Sequence, residues 1–142
     1  MTVRELVFAA ITSDPVMEGY GINASTLFAS SAPVSPTTDV FGVLHWGPES
    51  QGLAGQRGIG KVTERDVTLW VYDTNLDYTR IADSLKRWCM LMDSLTGQRT
   101  GSDVGDGWVT CCEWAGDGDD IWDDAYERIT RWSAYTIIAS GN

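Results

Sequence analysis

Residues 113–128, EWAGDGDDIWDDAYER, hold the densest set of chemically capable side chains in this 142-residue chain. Seven carboxylates precede the first basic residue, Arg128, and Trp114 and Trp122 stand among them. A hard cation is the first chemistry such a segment suggests. A calcium loop takes oxygen ligands from alternate positions, with a central glycine and a bidentate glutamate at the twelfth. Counted from Asp117, Asp119 falls correctly at the third position, but the fifth is Ile121, the sixth Trp122 and the twelfth Arg128. The calcium-loop pattern fails. A looser Ca²⁺ site among Asp117, Asp119, Asp120, Asp123 and Asp124 stays open as an alternative. A carboxylate pair for acid–base hydrolysis is the second reading, but any segment this acidic supplies two acids at catalytic separation. The third is a solvated connection between strands, with Ile121 and Trp122 tucked back onto the body. That reading extends to a protein contact, because tryptophan is enriched at such sites.

No other constellation supports catalysis. GQRGIGK (residues 55–61) lacks the full phosphate-loop pattern, has Val62 after the lysine, and precedes no helix whose N-terminus could hold an anion. FASSAPVS (residues 28–35) has serines without a Gly-x-Ser-x-Gly elbow. His45 is the single histidine, and in a strand it reads as a packed or edge residue rather than a general base. Cys111 and Cys112 are adjacent, so in a strand they point to opposite faces, and with Cys89 they make an odd count that fits reduced thiols. No nucleophile–base pair can be named. The chain is expected not to be an enzyme and to need no cofactor or metal.

The composition is that of a globular protein, 43% apolar and 21% charged, and the length suits one domain spanning residues 1–142. Its net charge of −10 disfavours a surface that grips nucleic acid, since phosphate contacts need clustered Lys and Arg. It fits a protein that lets DNA pass without sticking, and equally one that merely resists aggregation. No apolar run is long enough to span a membrane, and the N-terminus lacks a secretion signal, so folding in a cytoplasm is expected. Seven tryptophans and five tyrosines exceed what one small core readily hides, which points to interfaces or to half-exposed rings on an outer sheet face.

The elements that must position these residues follow from local signals. TVRE is a capping box that predicts a helix over about residues 3–13, ended by Asp14-Pro15. Residues 14–26 read as loop, and a short strand follows in LFA. Val40–Trp46 reads as a strand. The arm at residues 47–60 carries five glycines and a proline, so no regular structure is expected and it is either a mobile tip or a loop ordered by a partner. In RDVTLWVY, Val67, Leu69 and Val71 alternate with Asp66, Thr68, Trp70 and Tyr72, the period of a strand. Asp77 is the expected N-cap of a long helix over residues 78–95, whose Ile81, Leu85, Trp88, Met92 and Leu95 form one apolar stripe with Arg80, Asp83, Lys86 and Arg87 opposite. Trp70 and Trp88 are the expected core tryptophans. Strands over residues 108–114 and 131–140 close the chain. The predicted class is α+β: an antiparallel or mixed sheet with the N-terminal helix and one long helix packed on one face.

Two passages carry a resemblance. RDVTLWVYDTNLDYTRIADSLKRWCMLMDSL gives a strand, a turn and a long helix, and W-x-G…D-D-x-Y…I-x-R runs from Trp114 to Arg131. In this order the elements resemble the tail terminator (tail completion) proteins of long-tailed, non-contractile phages, particularly those infecting actinobacteria, over about Val3–Ser140. The resemblance implies a non-enzymatic ring, typically a hexamer, that caps the tail tube, stops its polymerisation and offers the surface for head–tail joining. Its implied partners are further copies of itself, the major tail tube protein and head–tail connector proteins, with DNA passing through the lumen and no membrane involved. Its implied place is the tail or neck of a virion assembled in the host cytoplasm. The residues expected at interfaces are Trp46, Leu53, Arg57, Trp114, Ile121, Trp122, Asp123 and Asp124. The alternative is another neck component, such as a head-closure or connector protein, or a small cation-binding domain.

Overall fold

The computed structural model describes residues 2–29, 32, 38–48, 50–51, 61–99 and 108–141. Among the described residues three helices, α1 (Val3–Thr12), α2 (Pro15–Gly19) and α3 (Thr79–Asp93), accompany seven strands. The strands are β1 (Leu27–Ala29), β2 (Val40–Trp46), β3 (Ser50–Gln51), β4 (Lys61–Asp73), β5 (Trp108–Asp117), β6 (Ile121–Asp123) and β7 (Arg128–Gly141). The main sheet runs β1-β2-β4-β7-β5, with β3 added to β4 and β6 to β7. Among the described residues only the β1–β2 pairing is parallel, so the sheet is mixed and the class is α+β.

Alternation decides the layers. Val67, Leu69 and Val71 of β4 and Tyr135 and Ile137 of β7 are buried on the face that receives α3. The α3 stripe of Ile81, Leu85, Trp88 and Met92, with Leu95 just past the helix end, is buried against them, at roughly 1.5–3 kcal/mol per side chain. Trp88 meets Tyr135 edge-on at 5.8 Å. The capping box at α1 is formed: Glu5 N–H donates to Thr2 Oγ1 at 3.2 Å and Thr2 N–H to Glu5 Oε2 at 2.8 Å.

The structure corrects several expectations. Residues 14–26 are not all loop, because Asp14 accepts from Met17 N–H at 3.1 Å and Pro15 opens α2, where a missing N–H costs nothing. Asp77 is not the N-cap of α3. That position is Tyr78, which offers no side-chain cap, while Asp77 accepts from the Thr79 N–H and hydroxyl one residue further on. The glycine-rich arm begins with regular structure, since Ser50 and Gln51 pair with Glu64 and Thr63 of β4; its glycine-dense remainder lies outside the described residues. Opposite the apolar stripe, Arg80 and Arg87 each make a forked pair that the sequence did not show, with buried Asp73 at 2.7 and 2.6 Å and with Asp14 at 2.9 and 2.7 Å. Trp70 is half-buried on the sheet face away from the helices, beside its cross-strand partner Trp132. A second aromatic cluster covers that face, with Phe41 stacked on Tyr72 at 4.6 Å and Tyr126 edge-on to both.

Candidate interaction surface

β5 and β6 both pair with β7, joined through residues 118–120, so together they form one continuous edge of the sheet. A sheet edge leaves backbone donors and acceptors free on its outer side, except that at the Trp108 end residues 97–99 cover it, with Gly97 N–H donating to Val109 O at 2.7 Å and Val109 N–H to Gln98 O at 2.9 Å. This edge also carries bulk. Trp108, Trp114, Ile121 and Trp122 all stand exposed on it, Trp114 at 60% and Trp122 at 52%. The register sets their directions. Trp114 lies opposite Tyr135 and Trp122 opposite Ile129, on the face that carries α3, whereas Ile121 lies opposite Thr130 on the other face. A bulge between Trp114 and Gly116 bends the strand here, and Gly116 takes a φ of 148° that side chains rarely adopt.

The carboxylates are engaged one by one rather than gathered. Asp117 accepts from the Trp114 indole N–H at 3.0 Å, and Asp124 from the Trp122 indole at 2.8 Å. Asp123 accepts from Tyr126 N–H at 3.0 Å, and Asp120 pairs with Arg131, whose Nε lies 2.6 Å away. Arg131 in turn lies over the Tyr78 ring at 5.4 Å, and the Tyr78 hydroxyl donates to Ile121 O at 3.3 Å. Partial burial raises the Tyr78 phenol above its ordinary pKa, and nearby Asp120 adds to the rise. Among the described residues no three His, Cys, Asp or Glu side chains converge on a point that could hold a metal ion. The expectation that Ile121 and Trp122 tuck back onto the body is overturned. Pairing of β6 with β7 holds their backbone in the sheet, and both side chains stand exposed, one on each face.

The expected interface residues fall into two places. Trp114, Ile121, Trp122, Asp123 and Asp124 share the β5–β6 edge. Trp46 lies across the sheet at the end of β2, and Leu53 and Arg57 lie outside the described residues. Around Trp46 the structure adds a feature that was not read in the sequence. The guanidinium groups of Arg4 and Arg65 lie 5.6 and 5.3 Å from its ring centroid. Beside it opens a mainly apolar groove of about 550 Å³, lined by Arg4, Glu5 and Phe8 of α1, Ala29 of β1, and Leu44 and Trp46 of β2. The local signal for Arg4 was weak, since it is one basic residue in the first turn of a helix and only the docking of α1 on β2 brings it to Trp46. Trp108 was also missed, although its place one residue before buried Val109 marks it as facing outward.

No protein-family model and no curated protein matches the chain. A solved structure does. It is described as the virion of a native gene transfer agent particle, and one of its chains matches with a TM-score of 0.70 at 13% identity. The match covers 99% of this chain and 96% of that chain. The two chains share a fold. The likeness therefore takes in the whole arrangement described above: α1, the mixed sheet, α3 and the tryptophan edge all fall within the matched span.

Proposed function

We propose that the chain is a structural virion protein that caps a phage tail tube as an oligomeric ring, ends tube polymerisation and presents the surface for head–tail joining. The observation that carries this reading is the full-length likeness in fold to a chain of a gene transfer agent virion. The exposed tryptophans on an open sheet edge support it, because a lone small domain rarely leaves so much aromatic surface in water. The −10 charge suits a ring through which DNA slides, and the dispersed carboxylates suit contact rather than chemistry. In this reading the partners are further copies, the tube protein and connector proteins, and the place of action is the tail or neck of the virion.

The deciding experiment is native mass spectrometry of the purified protein, alone and with the tail tube protein of the same phage. A closed ring, or a monomer that becomes a ring on tube ends, is the expected result. Tubes polymerised in its presence should also stop growing. A protein that stays monomeric, ignores tubes and leaves their growth unchanged would refute the reading. Binding to a portal-side protein in place of tube ends would move it to another position in the neck.

A further inference from the structure

The two tryptophan sites occupy the ends of one cross-strand row. Trp46 of β2 lies opposite Val67 of β4, Val67 opposite Tyr135 of β7, and Tyr135 opposite Trp114 of β5. All four belong to the sheet face that carries the helices. Three strand spacings of about 4.8 Å separate the ends, and buried Val67 and Tyr135 lie between them. The ends differ in a complementary way. At one, Arg4 and Arg65 flank Trp46 beside a groove walled by Phe8, Ala29 and Leu44, with Glu5 also on its wall but its carboxylate taken up by the Thr2 N–H at 2.8 Å. At the other, the most exposed tryptophan projects with Asp117 on its indole N–H and exposed Glu113 beside it.

Opposite charge and apolar surface at the two ends of the row, one on β2 beside the β1 edge and one on the β5 edge, cannot meet within one copy. A second copy placed alongside brings them together at the same level of the sheet. We infer that the Trp46 groove of one copy receives the Trp114 edge of the next, with Arg4 and Arg65 facing the carboxylates around Asp117. This inference rests on the ring reading above and names the faces that the ring would join. Such a contact is heterologous, joining two different patches, so its repetition closes a ring or extends a fibre. Burying a tryptophan in an aromatic and arginine-lined groove concentrates binding energy at one place, as interface anchors do.

The test uses two variants that each destroy one face. Arg4→Glu/Trp46→Ala removes the groove and keeps the edge, and Trp114→Ala/Asp117→Lys does the reverse. Each should remain monomeric under conditions in which the wild type assembles, including on tube ends. Mixed in equal amounts they should form a one-to-one dimer and nothing larger, because one intact groove and one intact edge remain. Folding is checked by circular dichroism. If either double variant misfolds, the exposed single changes Arg4→Glu and Asp117→Lys replace it, each expected to weaken assembly by roughly tenfold with a loss of salt dependence. Wild-type assembly left intact in the variants would overturn the pairing while the ring reading stands. A groove variant that self-associates yet no longer binds tubes would give the groove to the tube protein and also overturn it. A wild type that never assembles, with or without tubes, would remove both.

Discussion

Gly118 stands where β5 passes to β6, and its replacement by alanine gives a perturbation whose size the structure sets. Its N–H donates to Trp132 O at 2.8 Å as the chain crosses the Trp132 indole. A Cβ there would lie 2.0 Å from Trp132 Nε1 and 2.4 Å from the neighbouring ring carbons. The backbone φ is not in the left-handed range, and the three nearest atoms all belong to the ring, so the ring is the first obstacle. To admit the methyl, the indole must leave its place beside Trp70, 6.1 Å away between centroids. Trp132 is half-buried. About 100 Å² of a tryptophan's roughly 150–250 Å² would return to water, which at about 25 cal/mol/Å² costs about 2.5 kcal/mol. That falls in the usual range of about 1–3 kcal/mol for an overpacked site. For 142 residues the unfolding entropy is about 0.3 kcal/mol/K, so Tm should fall by about 8 °C. The decisive comparison is the same change in a Trp132→Ala background. With the ring gone the closest contacts are removed, and Gly118→Ala should be neutral or stabilise by about 0.4–1 kcal/mol through the unfolded chain. Urea and thermal unfolding of the four proteins measure this. An equal loss in both backgrounds, or none in the wild type, would show that the ring is not the obstacle.

Three further outcomes are expected. Ser133 Oγ is fully buried on the helix face with no hydrogen-bond partner, so Ser133→Ala should be neutral or should stabilise by up to about 1 kcal/mol in urea unfolding, where a bonded buried serine would lose stability. The Asp14 carboxyl is held below its ordinary pKa by its hydrogen bond from Arg87, so its contribution is present above the unfolded value near 3.8 and is lost as pH falls through the lower folded value. Asp14→Asn should therefore lower Tm at pH 7, and its gap from the wild type should narrow as the pH falls below about 4. Burial pushes the Cys112 thiol up to about 12, so at pH 8 almost none of it is thiolate. Its alkylation by iodoacetamide, followed by mass spectrometry, should be slow in the folded protein and rise sharply in denaturant.

Local chemistry made much of this protein legible from its sequence. The TVRE box, the Asp14-Pro15 stop, the alternation of RDVTLWVY and the apolar stripe of α3 each depend on neighbours a few residues away, where spacing alone dictates geometry. From them followed the α+β class and the single-faced helix packing. What escaped depends on residues far apart in the chain. Asp14 binds Arg87 across 73 positions, and the row from Trp46 to Trp114 exists only through the registers of three strand pairs. Trp70 and Trp88 look alike in a hydropathy pattern. Their different surroundings follow from which sheet face α3 covers, and strand alternation alone cannot assign that face. The same holds for the acidic segment. Its composition declared carboxylates and tryptophans, but pairing with β7 decided that the rings stand in solvent at one sheet edge while Trp46 and its arginines stand at the far end of the cross-strand row.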